Sequence, residues 1–379
     1  MSDTRARQQS DLADLKAALA SRSADLARAL CPDGERSGHY WICPNPRDGS
    51  GKHKRNFWIN LDGAKSPGSW HDPVAGEKGS PLDLIMLVEG RDFPSALKWA
   101  RDFLGWEQMA PDERARARKT VAENAEAVAA REAKLLERNR GQAFALWLKA
   151  SERLAATPVE TYLRGRGIDL DRLPRPPNAV RFGVRRHLET GMTLPAMLAL
   201  MTGPDPAGKK ESTYYAVHCT FLANDGHDKA PVSPQRKMWP SFRGGAIRLA
   251  RGETGMSPGE AAKQGLLDTL CLCEGVEDGL SIALACPELR VWAAGSLGNL
   301  RHQVLPACCA EVIVAADNDW GKPQAAAALE TAIEALAAQG RKVSVARSPI
   351  GKDANDALRG TGGGVWAVRG AIGGRAWAQ

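Results

Sequence analysis

The run LLDTLCLCEGVEDGLSIALA (266–285) passes from a short, continuously apolar strand pattern ending at Glu274 into an apolar helical period beginning at Val276. The same alternation repeats downstream. VWAAG (291–295) reads as a strand, LRHQVL (300–305) as a short helix and EVIVAAD (311–317) as a strand. KPQAAAALETAIEALAAQ (322–339) then reads as a helix and KVSVARS (342–348) as a strand. Strands that are apolar throughout, rather than at every second residue, are buried on both faces. Separated by helices, they predict a mostly parallel α/β sheet with helices on both faces. Leu329, Ile333 and Leu336 fall on one face of the long helix, and Gly340 stands where its C-terminal cap belongs.

Acidic residues recur at equivalent places in this pattern. Glu274 ends the first strand, Asp317 and Asp319 end the third, and Asp353 and Asp356 lie in the loop KDANDAL after the last. In an open α/β sheet the carboxyl ends of the strands form the ligand crevice, so the clusters should converge on one edge. If residues 317–319 stay extended, Asp317 and Asp319 point to the same side, roughly 6.5–7 Å apart, and Asn318 points away. Carboxylates brought together without partners repel one another and resist desolvation. An oxygen-only set at a crevice suits Mg²⁺, which keeps water and bridges to substrate phosphates. Taken one at a time the acids have ordinary readings: Glu277 and Asp278 suit a helix N-terminus, and KDAND suits a turn. Their common register favours a metal site.

Upstream, residues 236–249 (RKMWPSFRGGAIRL) interleave Arg236, Lys237, Arg243 and Arg248 with Trp239 and Phe242. Cations that neutralise phosphates, alternating with rings that stack on bases, are what a single-strand nucleic-acid groove needs. LPAMLALMTGP and STYYAVHCTFLANDG read as paired strands around a Gly/Pro/Lys turn. That turn, GPDPAGKK (203–210), only superficially matches a phosphate loop. Lys210 stands where Ser or Thr should bind Mg²⁺ and no helix follows, so an ATPase or helicase has no support. Residues 111–140, almost all Ala, Glu, Arg and Lys, read as a solvated helix or connector. Residues 81–105 carry a helical period broken near Gly90, and 11–30 an amphipathic helix. Between them a Gly/Pro/Asn-rich stretch with HYWIC, NFWINL and SWHD reads as a small sheet.

The chain has 379 residues, 43% hydrophobic and 25% charged, enough for two or three domains. A net charge of +7 inclines it toward polyanions. No signal-like start and no membrane-length apolar run are present, and the cysteines in apolar runs read as small buried hydrophobes. A cytoplasmic protein with reduced thiols and no membrane partner is expected.

In order and spacing, CEGVEDGLS, AADNDWG and KDAND resemble the Glu–Gly, Asp-x-Asp and terminal acidic motifs of Toprim domains. The wording looks most like that of primase-like Toprim proteins of phages, plasmids and integrated elements, in the bacterial DNA primase superfamily. The resemblance implies a Toprim catalytic domain over 266–360 and a tail from 361 to 379. It implies a basic strand-rich α+β subdomain over 161–265, a charged helical linker over 107–160 and a small zinc-ribbon-like module over 11–106. It also implies Mg²⁺ or Mn²⁺ as cofactor. Glu274 would be the general base or metal-positioning acid, Asp317 and Asp319 metal ligands, and Asp278 and Asp353 supporting acids, with Asp353 and Glu274 also near the metal. The segment containing Arg236 to Arg248 resembles the basic subdomain that precedes Toprim in primase cores.

The N-terminal module resembles the zinc-binding domain that opens bacterial primases, with its ligands degenerate: Gly34 replaces an expected His, and Trp70-His71-Asp72 a Cys-containing pair. A rearranged site from Cys31, His39, Cys43, His53 and His71 is the alternative. The favoured expectation is a zinc-free module presenting Trp41, Trp58, Trp70, Lys52, Lys54 and Arg55 to DNA. The activity implied is synthesis of short RNA primers from ribonucleotides on single-stranded DNA, with a replicative helicase as a further partner. A Toprim nuclease and a non-catalytic single-strand-binding accessory protein are the other readings.

Overall fold

The computed structural model describes residues 2–47, 55–61, 66–72, 75–107, 110–203, 215–318, 321–360, 363–373 and 376–377. Asp319, Trp320, Lys52, His53, Lys54 and the 204–210 turn therefore lie outside the described residues. The chain divides into two compact units, 1–135 and 136–379.

The first unit opens with helices α1 (Ser2–Ser21) and α2 (Ser23–Leu30). An antiparallel meander in chain order follows: β1 (Glu35–Ser37), β2 (Tyr40–Pro44), β3 (Arg55–Asn60), β4 (Trp70–Asp72) and β5 (Glu77–Gly79). Helices α3 (Pro81–Glu89) and α4 (Phe93–Leu104) close it. The expected break near Gly90 has a local cause. Ser80 and Asp83 form a reciprocal capping box at the start of α3, and Gly90 ends that helix in the left-handed region at φ 63°. Period-2 alternation sorts the sheet's side chains. Trp41, Cys43, Phe57, Ile59 and Trp70 face the helices and form the core, while Tyr40, Trp58 and His71 face outward.

That sorting corrects two expectations. Trp41 and Trp70 are 8% and 5% exposed, so they pack the core and are not presented to DNA. The Trp41 indole donates to the Cys31 carbonyl (2.9 Å), and Trp70 stacks on Phe57. Of the three, Trp58 alone is open, 40% exposed beside His71. The rearranged zinc site also fails on its described members. Cys31 and Cys43 are in the core, whereas His39 is exposed and His71 projects from the sheet's other face. Four ligands divided in this way do not converge on one ion.

Helix α5 (Pro111–Lys149) is a single 39-residue helix. Near its C-terminal end Ala143 and Trp147 are buried in the second unit, with the Arg181 guanidinium 3.6 Å from the Trp147 ring centroid. After α6 (Pro158–Gly165) come β6 (Val180–Arg186), β7 (Thr193–Thr202), β8 (Ala216–Phe221), β9 (Arg236–Trp239), β10 (Ala246–Arg251) and α7 (Pro258–Lys263). The C-terminal part runs β11 (Leu270–Cys273), α8 (Val276–Ala285), β12 (Arg290–Ala293), α9 (Leu297–Leu300), β13 (Glu311–Ala316) and α10 (Pro323–Ala337). It ends with β14 (Lys342–Arg347), α11 (Ala354–Arg359), α12 (Val365–Gly373) and β15 (Ala376–Trp377).

Among the described residues ten strands share one sheet, ordered β15-β14-β13-β11-β12-β10-β7-β8-β9, with β6 also on β7. Strands β14, β13, β11 and β12 are mutually parallel. Alternation explains why the interiors of β11, β12 and β13 are apolar on both faces. Cys271, Cys273, Val291 and Ile313 meet the core that includes Leu280 and Ile282 of α8. Leu272, Val312 and Val314 meet Leu329 and Leu336 of α10 on the opposite side. Every residue of α8 is buried, including Glu277, Asp278 and Ser281 among its apolar side chains. The core continues past residue 360, because Val368 and Ile372 of α12 are buried within it. All eight cysteines are buried and none is in a disulfide. No described helix is long and apolar enough to cross a membrane.

Candidate functional site

The first parallel strand, β11, lies between β12 and β13, so the connections leave it in opposite directions. That is a topological switch point, and the crevice beyond its carboxyl end is the expected ligand site. Glu274 and Asp317 stand there, directly after β11 and β13. Both line one small cavity together with Arg347, and Asp317 lines a second beside it with Asp278 and Arg347. Asp317 is thus shared between Glu274 on one side and Asp278 on the other. The Lys352 ammonium reaches its Oδ2 at 2.9 Å, and the Arg347 guanidinium donates to its carbonyl at 3.0 Å.

Asp278 is buried in the first turn of α8, where its Oδ1 accepts from the Asn355 backbone N–H (3.1 Å). Its carboxyl is pushed well above the usual range, first by burial, then by the charges of Asp353, Asp317 and Glu277. Gly275 makes this geometry possible, since a Cβ there would stand 2.7 Å from Asp278 Oδ2. The Glu–Gly pair therefore has a physical basis: the strand ends on an acid, and the next position must be empty for Asp278 to fold over it. Asp353 caps α11 by accepting from the Asp356 N–H at 2.8 Å. Burial, with Asp356 and Asp317 nearby, raises its carboxyl as well.

Asn318 is turned away from the acids, as the extended reading expects, and binds the loops together. It donates to the carbonyls of Ser348 (2.8 Å) and Gly351 (3.1 Å), and its N–H bonds Lys352 O at 2.7 Å. Asn355 plays a similar part, linking Arg166 O and Ser281 Oγ. The donor set is all oxygen, and the neighbouring acids help to raise the carboxyls of Asp278 and Asp353, so a divalent cation would relieve the repulsion. Among the described residues no three acids, His or Cys form a ready-made cage.

Replacing Asp278 by asparagine keeps an acceptor for the Asn355 N–H but removes the buried charge. Asp278→Asn is expected to melt 1 to a few degrees higher than the parent in EDTA at neutral pH, on a scale of roughly 2–4 °C per kcal/mol. It should also lose part of the parent's gain from added Mg²⁺. Thermal melts with and without Mg²⁺ check both, and an unchanged Mg²⁺ response would place Asp278 outside the ion's reach.

Several residues here escaped the sequence reading. Glu277, taken there as a helix-start acid, is buried. It accepts from the Tyr162 hydroxyl at 2.6 Å and pairs with Lys229 at 3.3 Å. Burial opposes its ionisation, yet Lys229, the Tyr162 hydroxyl and Arg236 outweigh it and hold the carboxyl down to about 2. Neighbouring His218 is driven down to about 4, chiefly by burial. The cluster ties α6 and β8–β9 to α8, across more than a hundred residues of sequence.

The basic segment is spread out in the structure. Arg236 and Arg243 are exposed, Lys237 pairs with Glu189 (2.9 Å), and Trp239 packs partly against the cluster containing Val217 and Cys219. Phe242 is buried in the core. Arg248 stands elsewhere, on β10, with its guanidinium over the Trp292 ring at 4.9 Å.

Acids gathered at the switch point of a parallel α/β sheet form a crevice where a divalent cation could be held by oxygen ligands. Residues 269–364 match the family model of the Toprim domain, and residues 137–249 match a domain of unknown function, DUF7146. The mixed α/β fold thus carries a Toprim domain in its C-terminal part, and Toprim domains generally bind divalent cations such as Mg²⁺.

No curated protein matches the chain. Among solved structures, the zinc-binding and RNA polymerase domains of the Aquifex aeolicus primase are similar at TM-score 0.38 and 15% identity, covering 96% of this chain and 86% of that one. The E. coli primase catalytic core is similar at 0.37 and 16%, covering 64% and 80%. A DnaG primase catalytic domain bound to ssDNA is similar at 0.40 and 17%, covering 64% and 81%.

Proposed function

We propose that this chain is a primase-like nucleotidyltransferase, joining ribonucleotides into short RNA primers on single-stranded DNA during replication or transfer of a mobile element. What supports this reading is that Glu274, Asp317 and Asp278 line two adjoining cavities at the switch point within the Toprim match, with Asp353 near enough to act on Asp278. In such chemistry the protein's part is mainly to position phosphates and stabilise the charge that develops on them. Glu274 and Asp317, with Asp319 following, would hold Mg²⁺ or Mn²⁺, which supplies charge neutralisation at the reacting phosphate. Glu274 would also serve as the base for the attacking hydroxyl. Asp278 and Asp353, whose carboxyls burial and neighbouring acids raise, would support the ion and become easier to ionise as it binds. Arg236 and Arg243, both exposed, would meet template phosphates, and Trp58 offers an open ring in the first unit. The expected setting is the cytoplasm of a bacterial or phage-infected cell, with a replicative helicase as partner.

The test is primer synthesis with the full chain, single-stranded DNA, labelled ribonucleotides and Mg²⁺ or Mn²⁺, beside a Glu274→Ala control. Short labelled products that vanish in the control support the proposal. Template cleavage without added nucleotides would favour a nuclease instead. Template binding with no turnover would favour an accessory protein.

A further inference from the structure

Four arginines of the second unit gather away from the acidic edge. A cavity of about 380 Å³ opens around the amino-terminal ends of the parallel strands, where Arg290 begins β12 and faces Arg251 across the β10–β12 pair. Glu274 and Asp317 stand at the strands' opposite, carboxyl ends. Arg175, Arg248, Arg251 and Arg290 all line the cavity, and no Asp or Glu does. Arg290 is committed elsewhere, since its guanidinium is ion-paired with Asp268 at 2.5 Å. Among the described residues none of the other three forms an ion pair with a carboxylate, although Glu260 lies near enough to Arg251 to feel its charge. Arg175 and Arg251 are exposed at the rim, and Arg251 touches only the Gly255 carbonyl, at 3.4 Å.

Arg248 forms part of the cavity's inner wall, stacked on Trp292. Its Nε–H is buried and has no hydrogen-bond acceptor, and the buried Trp292 Nε1–H has none either. Buried donors are nearly always satisfied, so two orphans on residues lining one cavity call for an acceptor that the protein does not supply. Burial and the charge of Arg290 depress Arg248 from its ordinary pKa, the opposite of what a paired guanidinium experiences. An anion would reverse both effects. The remaining wall is apolar and rigid, formed by Leu173, Pro174, Pro176, Leu249 and Pro287. Guanidiniums are suited to phosphate oxygens, and an apolar wall of this size suits a flat ring.

We propose that this cavity is a second ligand site, which binds a free mononucleotide polyphosphate through Arg175, Arg248 and Arg251, apart from the acidic edge. It needs no divalent cation, because its own cations do the neutralising, whereas the acidic edge repels phosphates until an ion bridges them.

The experiment is equilibrium dialysis of labelled ATP against the full chain in EDTA, repeated with Arg175→Gln, Arg248→Gln and Asp317→Asn. Saturable binding is expected in the parent and undiminished in Asp317→Asn. It should be weakened at least tenfold in each arginine variant and be displaced by inorganic pyrophosphate but not by adenosine. Arg175 is exposed, so its replacement reads the site without disturbing the core should Arg248→Gln fold poorly. Absence of saturable ATP binding at millimolar concentration would overturn the proposal. So would binding that survives Arg175→Gln, disappears in Asp317→Asn, or is displaced equally by adenosine. Primer synthesis is not needed for any of these readouts, so failure here and failure of the primase reading remain distinguishable.

Discussion

Asp317→Asn is expected to lower metal-dependent turnover by roughly 10²–10³-fold, the scale on which one preorganised electrostatic group at a reacting centre matters. Asp317 borders both small cavities of the acidic edge, so its charge serves whichever side an ion occupies. The substitution is nearly isosteric, and the carbonyl that accepts from Arg347 is untouched. The partner lost is Lys352, about half exposed, and exposed pairs contribute only about 0–1 kcal/mol. Activity should therefore collapse while the melting temperature changes by only a degree or two. If turnover persists at the parent's rate in the folded variant, the acidic edge is not the reaction centre. Equal loss of activity and stability would instead assign Asp317 a structural role.

The legibility of this domain in the sequence follows from how parallel strands are buried. LCLC and the VIVAA that follows Glu311 are apolar at every position because one set of side chains meets α8 and the other α10. That doubly covered state leaves few alternatives for the fold, and strand ends are then the natural places for unpaired acids. Glu277 was not legible for the opposite reason. An acid in the first turn of a helix has a sufficient local explanation. Its actual partners, Tyr162 and Lys229, come from an earlier helix and from a loop that nothing local connects to it.

The tryptophans and Arg248 show a different limit. Trp41 and Trp58 sit on neighbouring strands of an amphipathic sheet, one in the core and the other in solvent. Composition shows the rings, but only the register shows which face each takes. Likewise RKMWPSFRGGAIRL is contiguous in sequence, yet its two ends belong to strands that β7 and β8 separate within the sheet. Arg236 and Arg248 therefore cannot be read as one basic surface, although their spacing along the chain invites it.

The largest stability effect is expected from Asp268. Its side chain is fully buried against Arg290, itself 2% exposed, and it also accepts from the Thr254 N–H (3.1 Å) and hydroxyl (2.7 Å). Removing one member of such a pair leaves the other charged and unsatisfied, a loss of about 3–5 kcal/mol. Asp268→Ala should therefore melt lower by on the order of 10 °C. Asp268→Ala combined with Arg290→Met removes both charges, and most of the loss should be recovered, because an apolar replacement of a buried pair is often neutral.

The pH dependence has a definite sign. Desolvation opposes the ionisation of Asp268, but Thr254 and Arg290 overcome it and hold the folded carboxyl below its unfolded value. Its contribution is thus fully present above an unfolded pKa of about 3.9 and is lost as pH falls through the lower folded value. The stability gap between parent and Asp268→Ala should be widest near neutrality and narrow below about pH 4. A gap that stays constant with pH would mean that lost packing, rather than the ion pair, accounts for the change.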